Sequence, residues 1–202
     1  MIVLKSAFTG LLFLMGALLS LHSAWLPVKG WLSQQLISYS WSYSKVSGDA
    51  PKPWPWADTK PAFSLSVPKL SEQVVVLMGT DATTLAFSAG VMQPFSNINQ
   101  ANTIVIAGHK DSHFSFVQHI NKDDALVLTN SLNQQVQFKV SAVKSYDTLD
   151  ESFHYDSHKK QLLLVTCFPF ESSFNQSSQR YVVVADVVTD AVDSFEYTKS
   201  IF

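Results

Sequence analysis

The chain has 202 residues, 47% of them hydrophobic, with 14 lysines and arginines against 16 aspartates and glutamates. That length accommodates one domain with a sizeable core plus an attachment segment. A formal net charge of −2 provides no basic stripe for nucleic acid, no zinc-ribbon spacing or phosphate-cradling glycine loop is present, and the single cysteine excludes an internal disulfide.

From Ser6 to Val28 no Lys, Arg, Asp or Glu occurs over 23 positions, and Lys5 and Lys29 flank the run. At about 1.5 Å per residue this stretch crosses a hydrocarbon layer of about 30 Å with some tilt, so residues 1–29 are expected to be a retained membrane anchor. A cleavable signal peptide is the competing reading. Ser23-Ala24 offers a small residue for the cut, but His22 fits the small-x-small pattern poorly and the apolar run continues past Ala24. Lys5 and the amino terminus oppose Lys29 and Lys45, so charge alone leaves the orientation open.

Residues 30–61 are expected to hold a membrane-proximal helix and a linker. Trp31, Leu32, Leu36, Ile37 and Trp41 are interleaved with serine and glutamine, which suits a helix at the membrane interface or one whose apolar face lies on the domain. Ser47-Gly48-Asp49 and then Pro51, Pro53, Pro55 and Pro61 break regular structure and favour an extended arm. Trp54 and Trp56 are expected to pin that arm to the domain wall, with substrate binding as the other reading.

Residues 62–189 read as short strands. Phe63, Leu65 and Val67 alternate with polar partners, Gln73 to Met78 is a buried run ended by Gly79, and Ala125 to Leu128 and Val136 to Val143 flank the turn-like Asn130-Ser131-Leu132-Asn133. Many short strands at such spacing indicate a barrel or sandwich. Residues 83–88 and 112–120 are expected to be short helices, the second turning Phe114, Phe116 and Val117 toward the core beside His109. Residues 190–202 mix charge with scattered aromatics and are expected to be a weakly ordered tail.

The chemistry gathers at strand ends. Leu162-Leu163-Leu164-Val165 is an unbroken apolar run that delivers Thr166 and Cys167 to a rim; Thr103 to Gly108 runs into His109; Arg180 opens Tyr181 to Ala185. A thiol, an imidazole and a guanidinium at converging strand edges would make a nucleophile, a proton carrier and a cation for a developing oxyanion. The bland readings are a buried inert cysteine, a satisfied core histidine, and an arginine paired with a surface carboxylate such as Glu171 or Asp186. A zinc set of His109, His113 and His119 fails on detail, because positions 109 and 119 do not share a helical face and no glutamate lies between 109 and 113.

Leu163-Leu164-Val165-Thr166-Cys167 resembles the Thr-Leu-x-Thr-Cys signature of the sortases, with Leu163 in place of the first threonine. Gly108-His109 resembles their histidine after a strand, and Arg180 their arginine on the strand after the cysteine. The similarity spans roughly residues 50 to 188. It is closest to the Gram-negative, marine proteobacterial sortases (class GN), through Lys52-Pro53-Trp54-Pro55-Trp56-Ala57-Asp58, Thr84-Leu85-Ala86-Phe87, Gly108 to Phe114 and Val165 to Phe170. Where such sequences more often have His-Arg-Asp, this one has His109-Lys110-Asp111. The resemblance implies a mainly β, closed sortase-type barrel of about eight strands with short helices, preceded by an N-terminal transmembrane helix. It also implies a cysteine transpeptidase on the outer face of the cytoplasmic membrane. Cys167 would attack an LPxTG-like C-terminal sorting signal of a partner protein, His109 would move protons, Arg180 would hold the oxyanion or substrate backbone, and Thr166 would line the groove. The product would pass to an amine acceptor that the sequence does not specify, and no metal or cofactor is called for. A cysteine hydrolase using the same acyl-enzyme and a non-catalytic membrane-tethered binding module are the alternatives; a papain-like order is disfavoured because there the cysteine precedes the histidine and opens a helix.

Overall fold

The computed structural model describes residues 2–93, 98, 102–149, 159–171 and 178–188. Residues 190–202, expected to form a tail, lie outside that set, as does residue 189. The two N-terminal segments run as one helix, α1 (Ile2–Ser47), with Pro27 inside it. By length and composition α1 is able to cross a membrane. Its far end does something different: Ser33, Ile37, Ser40, Trp41 and Ser44 are all buried, and their spacing of three and four residues is one helical face laid on the domain. The small serines let the helix approach closely, while Ile37 and Trp41 supply the apolar contact. Gly48, at φ +79°, ends the helix with its N–H donating to the Ser44 carbonyl at 2.8 Å.

The proline arm then returns along the domain. Trp54 is half-buried edge-on against Phe87, with ring centroids 4.9 Å apart, so it pins the arm; Trp56 is 79% exposed and pins nothing. The Thr59 hydroxyl donates to the Met78 carbonyl at 2.7 Å and guides the chain into the first strand.

Eight strands follow: β1 (Pro61–Val67), β2 (Glu72–Met78), β3 (Gly90–Val91), β4 (Ile104–Ala107), β5 (Ala125–Asn130), β6 (Gln135–Asp147), β7 (Gln161–Cys167) and β8 (Gln179–Val187). They close into a barrel in the order β1-β2-β3-β4-β7-β8-β6-β5, with β5 returning to β1. The pairs β2/β3 and β4/β7 are parallel and the rest antiparallel. The expected closed barrel with short helices is thus what the chain forms. β3, only two residues long, has no sequence pattern of its own, and β6 and β8 extend beyond their apolar centres because each finds a partner along its whole length. The expected helix at 83–88 is α2 (Ala82–Phe87), capped by Asp81, whose carboxylate accepts from the Thr84 N–H at 3.0 Å. The expected helix at 112–120 is a shorter 3-10 turn, Ser115–His119, yet Phe114, Phe116 and Val117 are buried as its pattern requires.

The unbroken apolar run of β7 is explained by two clusters. Leu162 and Leu164 face the barrel core with Leu65, Ile106, Leu128 and Val183. Leu163 belongs to a second cluster with Val105 and Val182, against which Val165, Val184 and Tyr146 lie. Both faces of the central strand are therefore apolar, and no alternation survives in its sequence.

Gly108 ends β4 under the Phe114 ring: a Cβ there would lie 2.6 Å from Phe114 Cγ, and the ring is fully buried. Gly108→Ala is expected to destabilise the domain by about 1–3 kcal/mol through overpacking, measured by urea unfolding. A change below about 0.5 kcal/mol would show that this contact is not a constraint.

Candidate active site

Cys167 is the last residue of β7, half-buried and a free thiol. The two-residue period of the strand turns Leu163, Val165 and Cys167 outward and Leu162, Leu164 and Thr166 inward. The thiol therefore stands at the end of an apolar outer surface laid down by β4, β7 and β8.

Arg180 pairs directly with Cys167 across the antiparallel β7/β8 ladder, and directly opposed residues project their side chains on one face about 5 Å apart at Cβ. Val182 and Val184, two and four residues further along β8, lie on the same outer surface. One guanidinium nitrogen donates to the Gln179 carbonyl at 2.9 Å. Just past the strand, the Phe168 N–H donates to the same Gln179 carbonyl at 3.1 Å, so the chain on either side of the thiol is held to β8.

His109 arrives from the other side. The parallel register Ala107↔Val165 is prolonged by the Gly108 N–H donating to the Val165 carbonyl at 3.2 Å, and two further residues along β7 lies Cys167. His109 is thus level with the thiol, and its ring is exposed. Thr166 lies beneath the rim: it is 3% exposed, and its hydroxyl donates to the Gly108 carbonyl at 2.7 Å. Where the sequence placed Thr166 along the groove, the alternation of β7 turns it to the opposite face from Cys167, and it ties the histidine's backbone to the cysteine's strand. His113 is close enough to His109 to feel its charge; burial first, and then repulsion by His109, holds the His113 imidazole below its ordinary pKa.

Two features of the rim went unread in the sequence. Lys110, noticed there only as a departure from arginine, is 5% exposed, and its ammonium donates to the Pro169 carbonyl at 2.7 Å. A nearly buried lysine is rare unless its charge is engaged. Here it bridges the loop that carries His109 to the loop that follows Cys167. Phe168, Phe170 and Tyr181 form the second feature, an aromatic group at the end of β7 with centroid distances of 5.0–6.1 Å; Tyr181 pairs with Thr166 and so lies on the face opposite the thiol, and burial raises the pKa of its phenol. The only local signal for either was the Phe-Pro-Phe sequence after the cysteine.

Lys110→Met is expected to speed amide exchange at Phe168 by about five- to tenfold, the equivalent of one lost hydrogen bond of about 1–1.4 kcal/mol, while amides of β1 and β5 keep their wild-type rates. Lys110→Arg should restore most of the protection. Equal acceleration across all strands would mean that the lysine supports the whole domain and not the rim.

Fold and site together define a closed mixed β-barrel protein with its one thiol at the open end of a central strand. The sortase domain model matches residues 65–188, more than half of the chain, and the chain belongs to the sortase family. Sortase D of Bacillus subtilis (strain 168) is 29% identical over 126 residues; the match takes in 62% of this chain and 63% of that relative, so the chain spans somewhat under two thirds of it. Among solved structures, sortase A from Corynebacterium diphtheriae superposes with a TM-score of 0.57 at 18% identity, covering 81% of this chain and 86% of that one. A Clostridium perfringens sortase C with the C-terminal cell wall sorting motif gives 0.54 at 17% identity, covering 79% and 89%. At these identities the structural likenesses establish the fold.

Proposed function

We propose that this sortase is a membrane-anchored cysteine transpeptidase with Cys167, His109 and Arg180 as its catalytic set. The observation that carries the assignment is the double registration at the rim, with Arg180 opposite Cys167 in β8 and Gly108-His109 stitched beside Val165-Thr166-Cys167 in β7. In the proposed reaction the Cys167 thiolate attacks the threonine carbonyl of an LPxTG-like signal near the C-terminus of a partner protein. The new C–S bond forms, the Thr–Gly C–N bond breaks, and His109 protonates the departing amine. An acceptor amine then attacks the thioester, yields its proton to His109 and releases the Cys167 thiolate. Arg180 faces the carbonyl oxygen as it becomes an oxyanion, or holds the substrate backbone. The apolar surface of Val165 and Val184 forms the groove floor, and Thr166 acts from beneath by holding Gly108.

In this reading residues 1–29 cross the cytoplasmic membrane, residues 30–61 lead to the barrel of residues 62–189, and the barrel stands outside the cytoplasm. The segments Lys52 to Asp58 and Val165 to Phe170 support a place among the Gram-negative, marine proteobacterial sortases (class GN). The test is the mass of the adduct on Cys167 after incubation with Leu-Pro-x-Thr-Gly peptides, x being varied, followed by product analysis with and without an added amine. A thioester of the peptide truncated after threonine, resolved to the amide when amine is present, is expected. Resolution to the free acid alone would identify a hydrolase, and absence of any adduct would leave a binding module.

A further inference from the structure

At the end of the barrel that bears the thiol, the strands β4, β7, β8 and β6 run side by side in that order. Cys167 pairs with Arg180 of β8, and Arg180 pairs on its other side with Tyr146 of β6. Residues directly opposite one another in a sheet project their side chains from the same face. Cys167, Arg180 and Tyr146 therefore form one transverse row on the outer face, with His109 level at its β4 end. Neighbouring strands lie about 4.8 Å apart, so Tyr146 stands about 10 Å from Cys167 and directly beside Arg180. The reaction proposed above uses the other members of this row and leaves Tyr146 without a part.

The guanidinium of Arg180 has a definite direction. The Gln179 carbonyl accepts from the Phe168 N–H at 3.1 Å, so it points toward β7. One guanidinium nitrogen donates to that same carbonyl at 2.9 Å, which draws the group to the Cys167 side of its strand. A long, rotamer-rich side chain at a strand end loses such a direction readily unless its other positions are closed. Two β6 residues close them. Tyr146 is half-buried and packs on the cluster of Val105, Leu163 and Val182, of which Val182 is its diagonal neighbour on β8. Lys144, exposed and paired with Val182, is the diagonal neighbour of Arg180, and its like charge disfavours a guanidinium over β6. Asp147, the carboxylate at this end of β6, alternates to the other face, where it is hydrogen-bonded by the Ser178 side chain and the Leu149 N–H.

We propose that Tyr146 is a positioning residue for Arg180: its ring walls off the β6 side of the strand and keeps the guanidinium on the side where the oxyanion develops. For the use made of Arg180 the inference rests on the transpeptidase reading; for its placement it rests on the registers alone. An oxyanion donor contributes most when it is in place before charge develops, so the ring supports acylation without touching substrate or the reacting atoms. The flat body of the side chain supplies the wall, and the phenol hydroxyl is dispensable.

Arg180 is the only arginine in the sequence, so the Nε–Hε NMR signal of isotope-labelled arginine reports on it alone. The test uses the full chain in detergent micelles and three substitutions. Tyr146→Ala removes the ring, Tyr146→Leu keeps apolar cover on Val182 without the reach of the ring, and Tyr146→Phe keeps both. The order parameter of the signal is expected above about 0.6 in the unmodified chain and in Tyr146→Phe, and below it in Tyr146→Ala and Tyr146→Leu. Single-turnover acylation of Cys167 by a Leu-Pro-x-Thr-Gly peptide should fall about tenfold or more in the same two variants, and Tyr146→Phe should restore it to within about twofold. In an Arg180→Lys background, Tyr146→Leu should change the rate by less than about twofold, since the fork it positions is gone. Melting curves check folding, and Tyr146→Leu carries the test where Tyr146→Ala is unstable. An order parameter equal in all four chains would overturn the proposal. A tenfold fall that recurs in the Arg180→Lys background would overturn it too, making Tyr146 a contact for the peptide. Absence of acylation in the unmodified chain would end the transpeptidase reading, and the order parameter would still decide whether Tyr146 holds Arg180.

Discussion

Cys167→Ala is expected to abolish formation of the covalent adduct with a sorting-signal peptide while shifting the melting temperature by no more than about 4 °C. The chemical half follows from the sequence of bonds: alanine has no atom that can carry the acyl group, and His109 and Arg180 have nothing to act on without it. The structural half follows from position. Cys167 is half-buried at the end of β7, belongs to neither apolar cluster, and makes its ladder contact to Arg180 through the backbone. Truncating such a side chain costs on the order of 1 kcal/mol or less, which for a chain of this size is about 2–4 °C. Cys167→Ser should behave the same way, since a serine hydroxyl is far less ionised than a thiol at neutral pH. Mass spectrometry of the adduct and a thermal melt on the same preparation check both halves. Product formed at the wild-type rate by either variant would end the transpeptidase reading.

Arg180→Lys should lower single-turnover formation of the Cys167 thioester by about two to three powers of ten, or roughly 2.7–4 kcal/mol, the usual loss when one oriented donor to an oxyanion is removed. The lysine keeps the charge, but it loses the planar fork and cannot both hold the Gln179 carbonyl and present a second donor in a fixed direction. A surface ion-pair partner would respond differently. There the same change costs under about 1 kcal/mol of stability and scarcely touches the rate. Among the described residues, the salt bridges join Lys60 to Asp49, Lys69 to Asp124, Lys139 to Asp123 and Lys159 to Asp186; Asp186, one of the carboxylates considered for Arg180, is engaged by Lys159. A near-wild-type acylation rate, with folding checked by melting, would remove Arg180 from the catalytic set and leave a cysteine–histidine pair.

Much of this molecule was legible before any coordinates. The uncharged 23-residue run, the proline arm, the alternation in β1, the turn at Asn130 to Asn133 and the apolar strands ending at His109 and Cys167 are all local patterns. Each is written within one unbroken stretch of sequence, because a strand's period, a turn's backbone demands and a helix's charge-free length are properties of neighbours along the chain. The ordered set of motifs also carried the family, since the cysteine, the histidine and the arginine each stand in a recognisable stretch.

Registers and burial belong to another level. No pattern in Gln179 to Val187 places Arg180 opposite Cys167 rather than Phe168; a slip of one residue would turn the guanidinium to the other face, and the ladder with β6 on one side and β7 on the other prevents it. β3 is two residues that become a strand because β2 and β4 leave a gap between them. Thr166 reads as a groove residue beside the thiol, yet β7's alternation and the open carbonyl of Gly108 draw it inward. Lys110 sits among polar residues in sequence and is buried only because the loop after β7 folds over it. α1 meets α2 across 53 residues of chain, where the Gln34 side chain donates to the Phe87 carbonyl. Such contacts depend on how the barrel closes, and closure is set by summed packing over distant strands, which no window of adjacent residues contains.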